Sequence, residues 1–310
     1  NMQNFKVFGV PSSIGVNVEN AYIAVGYYDE KFITFHNIDN GKLLNKINAE
    51  YCSAYSNLIK TNSKYFVYLH SAKTIKVLDS KSLKELFSFD LNNCGAVNSI
   101  ELNNEKLFVF ANSPIGDKTN KKDIFIYDLG LNQSDSFDSG LYVKKGTIIN
   151  QKIVIFGNYL GQDKKNLGCV RILGLDKKII EETVVYENSS IEEVILYEVE
   201  NKSKVKGLIN SDHQLDAVEA NLDNVEFGFD LMPSAQPNTV VGCIKSTKEN
   251  ELDNVIVITQ QVNDKTYKMK ISDNHEDVET LPFDVVTGAT ASKNNKFYFG
   301  VDKAISIVEL

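Results

Sequence analysis

Apolar residues return along this chain in short alternating runs, and one six-residue pattern recurs from end to end: apolar, any, apolar, large apolar or His, usually polar, then a closing residue. It reads Ile33-Thr34-Phe35-His36-Asn37-Ile38, Ile75-Lys76-Val77-Leu78-Asp79-Ser80 and Ile124-Phe125-Ile126-Tyr127-Asp128-Leu129. It continues as Val170 to Leu175, Leu215 to Ala220, Val255 to Gln260 and Ile305 to Leu310. The fourth positions, 36, 78, 127, 173, 218, 258 and 308, stand 42, 49, 46, 45, 40 and 50 residues apart. Each copy follows another apolar run: Tyr22 to Val25, Tyr65 to Leu69, Leu107 to Phe110, Ile153 to Phe156, Val205 to Ile209, Thr239 to Ile244 and Phe297 to Phe299. Their β-branched and aromatic content predicts strands. After the first signature, Asp39-Asn40-Gly41 supplies the positive φ of a tight hairpin turn. Ser56 to Ile59, Val97 to Leu102 and Ile191 to Val199 are candidates for a strand preceding each pair, which makes four strands per unit.

A repeat of about 40 to 50 residues with four strands is the length of one propeller blade. The seventh unit, with Phe283 to Ala289, Phe297 to Phe299 and Ala304 to Val308, is one strand short, while Phe5-Lys6-Val7-Phe8-Gly9 at the other end has no partner. The two defects cancel if the N-terminal strand completes the last blade and removes the open edge. The expectation is all-β: a single seven-bladed propeller of four-stranded antiparallel blades, one domain over residues 1–310, with almost no helix. The pattern resembles the WD40 repeat. That family's signature ends in Trp-Asp; here the Trp slot holds His36, Leu78, Tyr127, Leu173, Val218, Ile258 and Val308, and the Asp persists at Asp79 and Asp128. The Gly-His dipeptide of that family is missing. The resemblance implies a WD40-like propeller acting as a non-catalytic scaffold or adaptor, a subunit of an intracellular complex.

Composition narrows the partners. The 310 residues are 43% apolar with a net charge of −8, and the pI is near 5.2. That balance opposes a nucleic-acid footprint, which needs clustered Lys and Arg. No run reaches the ~18 apolar residues of a membrane span, and Phe5 to Val10 is too short and lacks a basic flank for a signal peptide. Cys52, Cys94, Cys169 and Cys243 contain no C-x-x-C, so buried free thiols and a reducing compartment, cytoplasm or nucleus, are expected. Glycosylation patterns start at Asn132, Asn188 and Asn201; were they used, the alternative would be a surface or secreted binding propeller.

Candidate chemistry is sparse. His36, His70, His213 and His275 fall in different units without carboxylate or thiol at ligand spacing, and His36 fills a core slot. Ser211-Asp212-His213 reads as a hairpin turn, since adjacent residues cannot form a triad. The rival to a scaffold is a metal-dependent, lactonase-like hydrolase, with Asn57, Asn98, Glu101, Glu192, Glu193 and Asp284 on inner strands around a cation. No phosphate loop or hydrolase motif accompanies them, so no cofactor is expected.

Loops and charge supply the binding candidates. Asn112 to Lys122, Asn158 to Leu167 and Lys245 to Asn254 are the long connections between second and third strands. On their face Lys118, Lys121, Lys122, Lys164 and Lys165, with Tyr159 as aromatic anchor, are expected to meet an acidic segment of a protein partner. From Glu181 to Asp230, thirteen acidic residues against three lysines give −10, leaving +2 elsewhere. Asp223 and Glu226 there are expected to attract a basic segment.

Overall fold

The computed structural model describes the backbone of residues 2–50, 58–116, 119–149, 151–160, 166–186, 193–198, 204–211, 214–221, 226–231, 239–244, 254–260, 265–271, 278–280, 290–293 and 296–309. Side chains are described for 3–50, 58–116, 119–148, 151–159, 167–182 and, near the end, 296, 298, 300 and 302–307. Every regular element among these residues is a strand, so none is a helix long and apolar enough to cross a membrane. Contacts gather the chain into two units, 1–137 with 285–310 and 138–284.

The first unit holds four antiparallel four-stranded sheets. The first sheet runs Pro11–Asn17, Tyr22–Tyr27, Phe32–Asn37, Leu43–Asn48; the second runs Ile59–Thr61, Tyr65–Ser71, Thr74–Asp79, Glu85–Asp90; the third runs Val97–Asn103, Lys106–Ala111, Ile124–Asp128, Gln133–Phe137. The last sheet is built from both ends of the chain: Thr290–Lys293, Lys296–Val301, Ala304–Glu309 and then Met2–Lys6, in a register that pairs Met2 with Val308 and Lys6 with Ala304. An N-terminal strand therefore completes the sheet that ends one strand short, although it runs Met2–Lys6 rather than Phe5 to Gly9 and shares only Phe5 and Lys6 with the expected run. Two inner strands differ from the sequence reading. The second sheet opens at Ile59, and the last opens at Thr290–Lys293, whose ladder pairs Thr290 with Phe299 and Lys293 with Lys296. The candidate runs Ser56 to Asn57 and Phe283 to Ala289 lie outside the described residues.

Among the described residues the second unit, taken alone, shows three further antiparallel sheets. They run Tyr142–Ile149, Lys152–Leu160, Asn166–Gly174, Ile179–Tyr186; then Glu193–Glu198, Lys204–Ser211, Gln214–Asn221, Glu226–Leu231; then Thr239–Ile244, Asn254–Gln260, Lys265–Ile271, Val278–Thr280. Ser211 pairs with Gln214; Asp212 and His213, read as a hairpin turn, lie outside the described residues. In the first of these sheets a bulge falls between Val143 and Lys145. Gly157 stands opposite it, where a Cβ would come within 2.7 Å of the Tyr142 carbonyl oxygen.

Register explains the recurring signature. Every copy but the sixth, which falls on the second strand, lies on the third strand of its sheet. In the first four copies its fourth residue faces the start of the second strand: Ile23 with His36, Phe66 with Leu78, Leu107 with Tyr127, Ile153 with Leu173. Alternation then sends that residue inward, and all four are buried. The polar residue that follows folds the next turn. Asn37 Oδ1 accepts the amides of Asp39 and Asn40, Asp79 Oδ1 those of Lys81 and Ser82, and Asp128 Oδ1 that of Leu131. Backbone donation by Ser82 holds the Asp79 carboxyl below its ordinary value. Each turn ends on a left-handed residue, Gly41 at φ 73°, Leu83 at 59° and Asn132 at 50°.

In the first three sheets burial falls toward the last strand. Pro11–Asn17 is buried throughout, whereas Leu43–Asn48, Glu85–Asp90 and Gln133–Phe137 are largely exposed. Lys46, Glu85, Asp90 and Asp135 on these outer strands discourage edge pairing. Three apolar clusters weld adjacent sheets: Ile14, Val25 and Tyr27 with Tyr298 and Ile305; Phe35 and Ala24 with Phe66 and Tyr68; Leu69 and Val77 with Ile100, Val109 and Tyr127. Small residues permit the approach, for a Cβ on Gly15 would lie 2.4 Å from the Ile59 side chain of the second sheet. At the edge carrying the first turns, Asn17 Nδ2 donates to Thr61 Oγ1 at 2.7 Å and the Asn62 carbonyl at 2.8 Å, and Asn62 Nδ2 donates to the Asn104 carbonyl at 3.0 Å. Asparagines thus tie three successive sheets at their turns.

Candidate interaction surface

The connection Asn112 to Lys122 in the third sheet is fastened at both ends. On the entering side, the Gly95 amide donates to the Asn112 carbonyl and the Asn112 amide to the Ala96 carbonyl, each at 2.8 Å. The Asn98 side-chain amide adds a 3.0 Å bond to Asn112 Oδ1, and Ser99 Oγ donates to Asn98 Oδ1. On the leaving side, the Lys122 amide donates to the Asn93 carbonyl at 2.9 Å and the Ala111 amide to the Asp123 carbonyl at 2.9 Å. Between the anchors Pro114, Ile115 and Gly116 form the crest. Pro114 restricts φ, Gly116 takes φ 93° with open space around it, and the Ile115 side chain is fully exposed.

Lys121 departs from the expected role. It is buried at 8% exposure, and its ammonium pairs at 2.5 Å with the Asp123 carboxylate, itself wholly buried. Residues two apart at the entry to a strand share a face, so the lysine turns in with the aspartate. Lys122 is half-buried, and Lys118 lies outside the described residues. Ile115 was missed among the sequence candidates; its signal was a β-branched residue set between Pro and Gly in an otherwise polar loop.

In the second unit, the expected loop from Asn158 to Leu167 is partly strand. Tyr159 pairs with Leu167 and Leu160 with Asn166, so the hairpin extends outward before it turns. Tyr159 is half-buried and donates to Glu182 Oε1 at 3.4 Å. Glu182 also receives Arg171 Nε in a short charge-assisted bond, and Arg171 Nη1 donates to the Ser139 carbonyl at 2.6 Å. Burial first, and then the Glu182 charge, raise the Tyr159 phenol above its ordinary value. The single arginine thus locks the entry to this sheet. Lys164, Lys165 and Asp223 lie outside the described residues, and Glu226 is placed only as backbone, paired with Asn221.

Of the six inner-strand residues weighed as cation ligands, Asn98 bonds to Asn112 and Ser99, and Glu101 faces Phe108 in the ladder. Asn57, Glu192 and Asp284, and the side chain of Glu193, are outside the described set. Among the described residues no three His, Cys, Asp or Glu side chains converge as a metal site. His36 is buried, as its slot predicts, and His70 lies edge-on to Tyr68. Cys94 and Cys169 are free and buried, and burial pushes the Cys169 thiol up to about 12.

No family model and no curated protein sequence matches the chain. Solved structures do. The β-propeller domain of Cps50 (Swd1) from Myceliophteria thermophila is similar at 11% identity and TM-score 0.70, covering 99% of each chain. A chain of hydrazine synthase from Kuenenia stuttgartiensis is similar at 10% identity and TM-score 0.71, covering 99% of this chain and 97% of that one. The WD40 repeats of RRP9 are similar at 12% identity and TM-score 0.67, covering 100% and 97%. At such identities the likeness speaks for architecture alone. Four-stranded antiparallel sheets in signature register, a last sheet completed by the N-terminal strand, and this end-to-end likeness together give the chain the fold of a WD40-like β-propeller.

Proposed function

We propose that the protein is a non-catalytic interaction platform, a subunit or adaptor of an intracellular complex, and that it captures a protein partner through the crest of the Asn112 to Lys122 connection. The observation that carries this reading is Ile115, fully exposed on a loop bonded to the sheet at both ends. A rigid base lowers the ordering cost of association, and burying an isoleucine side chain contributes about 1.5–3 kcal/mol. Lys122, at the foot of the loop, and Lys118 suit acidic residues flanking an apolar partner pocket. Lys121 has no part in it, being committed to Asp123. The buried free thiols Cys94 and Cys169 support a reducing compartment.

The test is affinity purification from the native cell, comparing the wild-type protein with Ile115→Ser and with Lys122→Glu by quantitative mass spectrometry. A partner retained by the wild type should fall about tenfold or more with Ile115→Ser, the loss of roughly 1.4 kcal/mol, while the melting temperature stays unchanged. Equal capture by both variants overturns this surface.

A further inference from the structure

His36 lies at the meeting point of the two chain ends. Its imidazole is 1% exposed. Phe5 packs over it with ring centroids 5.3 Å apart, and Phe8 stacks at 6.1 Å. Beyond Met2–Lys6, the Val7 amide donates to the Lys303 carbonyl at 3.0 Å. Gln3, Asn4 and Lys6 are exposed, so Phe5 and Val7 make the apolar attachment of this strand. A Cβ on Gly41 would meet the Phe5 ring at 2.5 Å, which shows how closely that ring is seated on the first sheet.

A hydrogen-bond relay runs beneath the two phenylalanines. The Phe8 amide reaches Tyr27 Oη at 3.3 Å, Tyr27 Oη makes a short bond with Thr34 Oγ1, Thr34 Oγ1 lies 2.8 Å from His36 Nε2, and His36 Nδ1 lies 3.0 Å from the Gly41 carbonyl oxygen. The ends determine its direction. A carbonyl only accepts, so Nδ1 carries the proton; neutral Nε2 then accepts from Thr34, Thr34 accepts from Tyr27, and Tyr27 accepts from the Phe8 amide. Each donor has one acceptor. A second proton at Nε2 reverses the bond to Thr34, whose oxygen must then accept from the ring, and one of the two hydroxyl protons, that of Thr34 or that of Tyr27, is left without an acceptor in the relay, next to a buried charge.

No compensating charge faces the ring among the described residues. The N-terminal segment presents Phe5 and Phe8, the neighbouring strand Tyr27, its own strand Thr34, and the following turn the Gly41 carbonyl. Asp39 and Lys42 in that turn and Lys6 in the strand are exposed or partly so, and Asp29 is turned to the Val10 amide at 3.1 Å. Burial, and more weakly Asp29 and Glu30, hold the Tyr27 phenol above its ordinary value, so it stays protonated. Desolvation lowers the His36 value from 6.5, opposed by the Gly41 carbonyl.

We propose that His36 is a proton-sensitive latch for the N-terminal strand: with the ring neutral, Met2–Lys6 is held in the last sheet, and protonation releases it and bares the Ala304–Glu309 edge. The sign follows from linkage. A histidine that binds its proton more weakly in the fold gives its full stabilisation above the ordinary value of 6.5 and loses it as pH falls below that value toward the lowered one.

The experiment is hydrogen exchange read as protection factors, comparing the Val7 amide with the Leu129 amide, which donates to the Glu105 carbonyl in the third sheet. From pH ~7 to pH ~4.5 the Val7-to-Leu129 ratio should fall, by about tenfold for each unit by which folding lowers the His36 value. In His36→Gln, which carries no titrating proton, the ratio should stay constant. A constant ratio in the wild type, or the same fall in the variant, overturns the latch. If His36→Gln does not fold, the ring is titrated by NMR in the wild type: a shared midpoint with the Val7 loss supports the latch, and separate midpoints overturn it.

Discussion

Two interfaces within the first unit solve the same packing problem differently. Between the second and third sheets the buried contact is apolar, with the Asn62–Asn104 bond and the Lys64–Glu105 ion pair confined to the exposed turns: Leu69, Val77, Ile100 and Val109 meet around Tyr127, on which Phe89 stacks with ring centroids 3.9 Å apart. Between the last and first sheets the apolar cluster of Ile14, Val25, Tyr298 and Ile305 is accompanied by the relay from Phe8 to Gly41. Apolar contact is non-directional and indifferent to pH, whereas the relay is satisfied in one protonation state. The difference falls where the chain's two ends are joined without a covalent link. There, directional bonds specify how the terminal strand is seated, and they make that seating responsive to protons.

The comparison can be broken most severely on its apolar side. Ile100→Ala should cost about 2–5 kcal/mol, because Ile100 is wholly buried and its cavity has rigid walls. Urea unfolding measures this, and a loss under ~1 kcal/mol would mean that the interface collapses around the gap. On the relay side, Gly41→Ala combines φ 73° with the approach to Phe5 and should cost about 1–3 kcal/mol. Its Val7 protection should fall while Leu129 is unchanged; equal loss at both would show that the turn supports the whole unit. The smallest effect is expected from Tyr27→Phe, about 0.5–1.5 kcal/mol, since one hydroxyl is removed and the ring keeps its packing. A cost above that range, read from the same unfolding curves, would show the relay to be cooperative beyond its separate bonds.

Much of the site was hidden for a definable reason. Asn112 to Lys122 was recognisable as a long connection by the distance between two apolar runs. Within it, Lys121 and Lys122 read alike as loop lysines. Their difference comes from Asp123, which turns inward with its strand and carries Lys121 with it. Ile115 had the opposite history: it lay inside a run read as a loop, was passed over beside the lysines, and stands fully in solvent. Asn158 and Tyr159 read as loop because polar residues there interrupt the apolar run, yet ladder pairing with Gly168 and Leu167 extends the strand through them.

By itself the sequence determined the repeat, the strand composition of its units, the buried His36 in the signature and the positive φ at Gly41, though not the width of the turn, which spans residues 38–42. These follow from period-two alternation and turn stereochemistry, which act over a few residues and need no partner. The polar fifth slot belongs with them, since Asn37, Asp79 and Asp128 bond to amides two or three residues ahead. Only the tertiary structure decided which lysine is buried, which loop is fastened, and that Tyr27, Thr34 and His36 line up under Phe8. Those arrangements depend on the register of adjacent strands and on how Met2–Lys6 is seated against Ala304–Glu309; that an N-terminal strand closes the last sheet follows from counting the repeat, whereas its bounds and register do not.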